Sequence, residues 1–253
     1  MADTHDPTKR TIQTAYGKIV SQTEQNGPEW QRTQICKPIF SPIADLYPQK
    51  MGYEEEANLG LGCGFPVETA QIQAGETVLD LGCAAGIDSF LARAAVGESG
   101  RVIGIDLTPE LVQRATSIAQ KRGFQNMEFR CADIEYLPIP DQSVDVVISN
   151  GVFSLLSDRK RVFREIKRVL KPGGRFCVFD LVRKTDLPAA EMEQVLQFTG
   201  CLNGIFHAQE YLEGIAAAGF EGGRVVSERA VLIPLGDGRV LEGFWAIGFC
   251  GRW

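Results

Sequence analysis

The stretch TVLDLGCAAGID, residues 77–88, decides the fold. It begins as a short apolar strand, passes through a turn between Gly82 and Gly86, and continues into a helical pattern. A strand that leads through a glycine-containing turn directly into a helix is typical of the first half of a βαβ unit. The stretch therefore predicts a parallel sheet with helices packed against it.

The same alternation of strand and helix continues after this stretch to about residue 182. Helical patterns separate the apolar runs, and the best bounded of them begins at Thr108 and ends at Gly123. Two closing β-rich runs follow two further helical segments near 188–200 and 208–218. The sequence predicts an α/β fold, a seven-stranded and mostly parallel Rossmann-like sheet with helices on both faces. The predicted strands are 77–82, 101–106, 126–133, 144–150, 174–182, 224–233 and 239–249.

Three segments are predicted along the chain. Residues 1–75 hold an N-terminal helix, predicted at about 8–22, and a cap segment whose apolar content is too sparse for a core of its own. Residues 76–182 form the Rossmann-like ligand-binding core, and residues 183–253 add helices and closing strands that contribute to the substrate site.

Composition excludes several classes of protein. A chain of 253 residues with 44% hydrophobic and 23% charged residues is ordinary for a globular protein. The net charge of -6 argues against a nucleic-acid partner, and we interpret the basic run at 158–171 as the solvated face of an amphipathic helix. The polar N-terminus is unlike a signal peptide and no long apolar run is present, so we expect a cytoplasmic protein without a membrane partner.

The seven cysteines are odd in number, widely spaced and without a CxxC pair. This pattern argues against a disulfide framework and against a zinc ribbon, so single reduced thiols are expected. Cys131, Cys177 and Cys250 lie within β patterns and are predicted to be core residues.

Three successive strand ends carry groups that suit an adenosine-type ligand. Gly82 and Gly86 let the backbone approach a ligand closely beyond the first strand. Asp106 ends the next strand, where a carboxylate can accept hydrogen bonds from both ribose hydroxyls. Asp133 and Ile134 end the third strand and combine a polar group with an apolar surface for an adenine ring.

The turn does not suit a nicotinamide dinucleotide. A pyrophosphate is usually held by GxGxxG, whereas here the spacing is GxxxG, Asp88 takes the third glycine position and Asp80 precedes the turn. A cationic ligand without phosphates fits better, and S-adenosylmethionine meets that description. The sequence DLGCAAG resembles the first motif of class I methyltransferases, in which we interpret Cys83 as a structural residue.

A closer resemblance covers roughly residues 52–220. The segments EANLGLGCGFP, GETVLDLGCAAGIDSFLA, GRVIGIDLTPEL, IEYLPIPDQSVDVVISN, VFREIKRVLKPGGR and GCLNGIF resemble, in this order, the arsenite methyltransferase family. The resemblance implies transfer of a methyl group from S-adenosylmethionine to trivalent arsenic held by cysteine thiolates. Tyr16, in AYGKI, is expected to close over the donor. The predicted donor-binding residues are Tyr16, Asp80, Gly82, Cys83, Gly86, Asp106, Leu107, Asp133, Ile134 and Asn150.

The chain departs from the family's cysteine pattern at two positions, Gly151 and Ser89. Family members usually read SNCVINL where this chain reads SNGVFSLL, so Gly151 stands in place of an arsenic-binding cysteine. By the same resemblance Cys63 and Cys201 keep the other two thiols and are the predicted catalytic residues and As(III) ligands, with Cys36 near an auxiliary position. The family's IDC is here Ile87-Asp88-Ser89.

The vacancy at Gly151 leaves several functions open. Cys63 and Cys201 either bind a centre that already bears an organic group, or a thiol such as glutathione supplies the third sulfur. Alternatively the acceptor is an organic thiol or another small metabolite, in a pocket altered by Phe153. In a different class, the chain is a donor- or metalloid-binding module without turnover.

Overall fold

The computed structural model describes residues 6–34, 43–199, 204–234 and 238–253. Its strands are β1 (Thr77–Leu81), β2 (Arg101–Asp106), β3 (Met127–Cys131), β4 (Val144–Asn150), β5 (Leu170–Arg183), β6 (Phe206–His207), β7 (Glu221–Pro234) and β8 (Val240–Arg252). Its α-helices are α1 (Pro7–Gln34), α2 (Pro66–Thr69), α3 (Ile87–Val96), α4 (Pro109–Lys121), α5 (Arg159–Val169), α6 (Ala189–Thr199) and α7 (Ala208–Ala217). Short 3-10 helices cover Ala44–Gln49, Glu55–Ala57 and Phe153–Leu155.

The strands form one sheet in the order β3-β2-β1-β4-β5-β8-β7, with β6 paired to β5. Strands β1 to β5 are mutually parallel, and β8 runs antiparallel between β5 and β7. The carboxyl ends of β1, β2, β3 and β4 therefore meet at one edge, where open α/β sheets bind their ligands. This edge contains the predicted donor site.

Helices cover both faces of the sheet. Successive residues of β1 enter opposite layers: Leu79 and Leu81 pack with α5 and α7, whereas Val78 packs with α2 and α3. A third apolar cluster joins α1 to α4 through Val20, Leu111 and neighbouring side chains. The N-terminal helix is thereby fixed over the ligand-binding edge.

The predicted fold class is confirmed, with one addition. All seven predicted strands are present, and the eighth, β6, has only two residues and is too short to produce a periodic pattern. The N-terminal helix extends to Gln34, beyond the expected end near residue 22. The segment boundaries at 75 and 182 stay predictions. None of the helices in the described part of the chain has the length and apolar character that a membrane span requires.

A close packing contact fixes the segment that carries Cys63. The Phe179 ring of β5 lies between two glycines, so a Cβ built on Gly64 would come within 1.8 Å of it and one on Gly248 within 2.5 Å. Only glycine lets the 61–64 backbone approach β5 this closely. The family-like GLGCG motif is thus required by packing as well as by any chemistry at Cys63.

Candidate functional site

The glycine turn forms the floor of the site. Gly82 and Gly86 adopt φ values of +68° and +94°, in the left-handed region that favours glycine. The N–H groups of Gly82 and Cys83 donate to the Ile105 carbonyl at 2.7 and 3.0 Å, which ties the turn to β2. The Cys83 thiol lies within reach of the Gly104 position and is buried, and burial raises its pKa well above the usual range. These contacts agree with a structural role for Cys83.

Asp106 is held rigidly at the end of β2. Its two carboxylate oxygens accept backbone N–H groups from Ala84 and Thr108, both at 2.9 Å. The side chain is 9% exposed, and burial raises the pKa of Asp106 although these hydrogen bonds oppose the shift. Because each carboxylate oxygen has a second lone pair, Asp106 can still accept from a ligand's hydroxyl groups.

Two more buried carboxylates lie beside the turn. Burial, together with the nearby charge of Asp88, raises the pKa of Asp80 to about 8, although Ser89 donates its hydroxyl to Asp80 at 2.6 Å. Burial also raises the pKa of Asp88 to about 6, against hydrogen bonds from Asn150 and Tyr47. The charge of Asp106 contributes further to the shift at Asp80.

The part of the chain that the structure describes supplies no paired cation to this acidic edge. Within residues 6–34, 43–199, 204–234 and 238–253, no Lys or Arg forms an ion pair with Asp80, Asp88 or Asp106. A phosphate would add to this negative charge, whereas a cationic ligand would relieve it. The donor set therefore fits a sulfonium nucleoside with an amino-acid tail.

The end of β3 carries a contact that the sequence did not reveal. Lys9 of α1 reaches across the edge and contacts Asp133 Oδ2 and Glu135 Oε2, each at 2.6 Å. Burial works against the charged form of Lys9, but its two carboxylate partners raise the pKa overall. Lys9 thus binds one oxygen of Asp133, the carboxylate that was predicted to face an adenine ring. Ile134, beside Asp133, is buried in the core.

Helix α1 also contacts the loop after β2. Gln13 donates its side-chain amide to the Leu107 carbonyl at 2.9 Å. Tyr16 packs against the cluster that contains Leu59 and Ala85, between the cap segment and the glycine turn. The structure therefore brings Tyr16 to the predicted donor edge, and its contact with the donor stays a prediction.

Asn150 organises the acceptor side. Its Oδ1 accepts the backbone N–H groups of Cys63 at 2.8 Å and Gly64 at 3.2 Å, and the Cys63 Sγ lies 3.5 Å away. Its Nδ2 donates to Asp88 at 2.8 Å and to the Tyr47 hydroxyl at 3.0 Å. The Asn150 amide is therefore occupied in holding the Cys63 segment on the end of β4.

The same segment lies over Gly151. A Cβ at Gly151 would lie 3.1 Å from the Leu61 carbonyl oxygen, so Gly151 and the 61–64 segment are neighbours. The structure thus places Cys63 beside the position where family members carry another thiol. Gly151 has a φ of +75°, so a cysteine there would be strained in this conformation.

Other expected residues have mixed outcomes. Cys201 and Cys36 lie outside the described residues, so their proximity to Cys63 stays a prediction. The expectation that Phe153 alters the acceptor pocket is wrong, because its side chain is fully buried against Phe163 and Tyr211. The expectation that Cys131 is a core residue is also wrong, because β3 is the edge strand and leaves it exposed.

Sequence reasoning missed Tyr47 and the role of Asp88. The Tyr47 hydroxyl is fully buried and donates to Asp88 Oδ1 at 3.1 Å. Burial, together with the nearby charge of Asp88, raises the pKa of Tyr47 well above its usual range. A polar Asp in the first turn of α3 was visible in the sequence, but its partner comes from a 3-10 helix that has no recognisable motif.

Comparisons with known proteins agree with this geometry. Residues 72–226 match the methyltransferase domain family. An arsenite methyltransferase of Halobacterium salinarum is 41% identical over 181 residues, 68% of this chain and 46% of the relative. One from Aquipseudomonas alcaligenes is 31% identical, over 90% of this chain and 68% of the relative. The crystal structure of CrArsM, an arsenic(III) S-adenosylmethionine methyltransferase from Chlamydomonas reinhardtii, superposes with a TM-score of 0.65. It is 29% identical, over 85% of this chain and 72% of that chain.

The sheet order, the glycine turn and the acidic strand ends are those of a class I methyltransferase domain. The chain spans about half the length of the Halobacterium relative and about two thirds of the Aquipseudomonas relative. On these matches, the chain belongs to the arsenite methyltransferase family.

The role of Asn150 can be tested through the reactivity of Cys63. Asn150→Ala removes the acceptor for two backbone N–H groups, each hydrogen bond contributing about 0.5 to 1.5 kcal/mol. We expect alkylation of Cys63 by iodoacetamide, followed by peptide mass mapping, to accelerate by about ten-fold or more. Ser149→Ala is the matched control, because Ser149 donates to the Leu81 carbonyl and not to the Cys63 segment. Equal alkylation rates in the two variants would contradict the assignment.

The raised pKa of Asp80 predicts proton-linked donor binding. At pH 7 a group with a pKa of about 8 is mostly protonated, and an adjacent cation favours its ionised form. Binding of S-adenosylmethionine should therefore release a proton at pH 7 and tighten as the pH rises toward 8. Calorimetry in buffers of different ionisation enthalpy measures this release.

Two variants control the proton-release experiment. Asp80→Asn should remove the release, whereas Asp145→Asn should keep it because Asp145 pairs with Lys171 at the opposite end of β4. Release that persists unchanged in Asp80→Asn would show that another group titrates.

Proposed function

We propose that this chain is an S-adenosylmethionine-dependent methyltransferase whose acceptor is a trivalent arsenical or a similarly soft nucleophile. When bound, the donor supplies an electrophilic methyl carbon attached to a sulfonium. The observation that carries the proposal is the position of Cys63, which Asn150 fixes at the end of β4, beside the edge that carries Asp80 and Asp106. Membership in the arsenite methyltransferase family supports it.

The chain's residues divide into two groups with different tasks. We propose that Asp106, which Ala84 and Thr108 hold in position, accepts hydrogen bonds from the donor's ribose, and that Asp80 balances its positive charge. Gly82 and Gly86 leave room for close backbone approach, and Tyr16 on α1 covers this side. The main catalytic contribution is then the alignment of donor and acceptor. Such ordering lowers the activation free energy by up to roughly 7 to 11 kcal/mol.

Cys63 and Cys201 are the proposed acceptor ligands. Soft thiolates favour soft thiophilic centres, and a pyramidal As(III) held by sulfur keeps a lone pair that acts as the nucleophile without a general base. When two protein thiols bind As(III), one ligand position on the arsenic is left for another group. We propose that an organic substituent on arsenic or a small thiol such as glutathione fills it, because Gly151 supplies no sulfur.

The proposed setting follows from the same chemistry. Thiolates that must bind a substrate need a compartment that keeps cysteines reduced, which agrees with the expected cytoplasmic location.

Turnover with defined acceptors tests the proposal. The purified chain is incubated with S-adenosylmethionine, glutathione and a monomethyl arsenical, and formation of S-adenosylhomocysteine is measured. We expect turnover in the wild type and in Cys250→Ser, and at least a hundred-fold loss in Cys63→Ser. Retained turnover in Cys63→Ser would remove Cys63 from the site. Turnover only with organic thiols would favour the small-metabolite alternative. The absence of turnover with every acceptor tested would favour a binding module.

Restoring the missing thiol gives an independent prediction. Gly151→Cys places sulfur beside the Cys63 segment but forces a side chain into a left-handed conformation. This strain lowers the free energy of unfolding by about 1 to 3 kcal/mol. We expect this variant to increase methylation of inorganic arsenite. Gly151→Ser carries the same strain without a soft ligand, so it should lose stability equally and gain nothing. Equal activity in the two variants would contradict a ligand role at this position.

A further inference from the structure

Cys177 and Cys250 form a dithiol that methyl transfer does not use. They are direct partners across the antiparallel strands β5 and β8, and their sulfur atoms lie 2.7 Å apart. Cys177 is fully buried, whereas Cys250 is partly exposed at the margin of the same apolar cluster. The pair thus combines one partly exposed cysteine with one buried cysteine.

The surroundings of the pair lower the pKa of Cys250, the more exposed of the two residues, and so favour its thiolate form. The hydrogen bond between the two sulfur atoms is the main reason that the pKa of Cys250 is lowered, against the effect of burial. The guanidinium groups of Arg224 and Arg175 lower it further. Arg224 is the direct partner of Cys250 on β7, so Cys250 has Cys177 on one side and a cation on the other.

The geometry suits a bond between the two sulfurs. Directly opposed residues on antiparallel strands have Cα atoms about 4.5 or 5.5 Å apart. Disulfides span about 4.4 to 6.8 Å between Cα atoms, so neither strand has to move. Closing the gap needs no added volume, whereas a bridging metalloid would need space beside the fully buried Cys177 sulfur.

We propose that Cys177 and Cys250 are a peroxide-sensitive dithiol that converts reversibly to a disulfide linking β5 to β8. The Cys250 thiolate attacks a peroxide oxygen, the O–O bond breaks, and Cys250 becomes a sulfenic acid as hydroxide leaves and takes up a proton. The Cys177 sulfur then attacks the Cys250 sulfur, and the displaced hydroxide takes the Cys177 proton. With hydrogen peroxide the balance is two thiols oxidised, one peroxide reduced and two waters formed.

This proposal is independent of the proposed function, because neither cysteine belongs to the acceptor or donor site. It also separates two kinds of thiol in the chain. Cys63 is held by Asn150 for a substrate, whereas Cys250 is held beside a second sulfur.

Peptide mapping tests the proposal directly. Cleavage after Arg and Lys places Cys177 in residues 176–183 and Cys250 in residues 240–252, each as the single cysteine of its peptide. The reduced full-length chain is treated with hydrogen peroxide, blocked with N-ethylmaleimide and digested without reduction. We expect a linked pair of these peptides, lighter by two hydrogen atoms than their sum and separated by dithiothreitol. Recovery of both peptides in alkylated form, while other cysteines are oxidised, would overturn the proposal.

Two variants test the order of the steps. In Cys177→Ser the sulfenic acid has no resolving thiol, so dimedone should label Cys250. In Cys250→Ser no linked peptide should form, and Cys177 should stay unlabelled by dimedone in the folded chain. Cys131→Ser is the control, because it removes an exposed thiol from another strand and should leave the linked pair intact. Labelling of Cys177 in preference to Cys250 would contradict the assigned roles. The wild-type mapping needs no variant and stands even if a variant does not fold.

Discussion

Burial of three carboxylates, at the ends of β1 and β2 and at the start of α3, is the constraint on which the rest of the site depends. Asp80, Asp88 and Asp106 are nearly excluded from water, and burial raises the pKa of each. Burying carboxylates without a counter-ion costs stability, so such groups are usual where a ligand restores the balance. A cationic nucleoside supplies that balance, whereas a phosphate would worsen it.

A single amide connects this acidic edge to the acceptor side. Asn150 donates to Asp88 and accepts from the backbone at Cys63 and Gly64, so the position of one carboxylate and that of the thiol are linked. The Phe179 ring supports the same segment from below through contact with Gly64. In physical terms, the site consists of a rigid donor edge and a thiol-bearing segment that is fixed relative to it. Under the proposed function, specificity rests on which sulfur atoms surround the acceptor.

Local sequence pattern predicted the fold and the grouping of the strand-end residues well, because both follow from short-range rules. Alternating strands and helices align the carboxyl ends of parallel strands, and this places Gly82, Asp106 and Asp133 together without any knowledge of tertiary contacts. Contacts between distant segments were not predictable in this way. Lys9 and Asp133 are 124 positions apart, and Tyr47 and Asp88 are 41 apart.

The wrong expectations have similar causes. Phe153 was expected in the acceptor pocket because it replaces a smaller residue of the family pattern, but the 3-10 helix that starts at Phe153 directs its ring into the core. Cys131 was predicted to be a core residue because it lies within a β pattern, but the position of a strand within the sheet is a tertiary property. The pairing of Cys177 with Cys250 depends on the register of β5 and β8, which no local motif encodes.

Calorimetric titration of S-adenosylmethionine into the wild type and Asp106→Asn tests the central claim most directly. The variant keeps an oxygen for the backbone but loses the charge, and hydrogen bonds to charged groups contribute about 1.5 to 3 kcal/mol. The account predicts that Asp106→Asn weakens binding by that amount and that Asp145→Asn leaves it unchanged. Equal affinity in the wild type and Asp106→Asn would contradict the placement of a nucleoside at this edge.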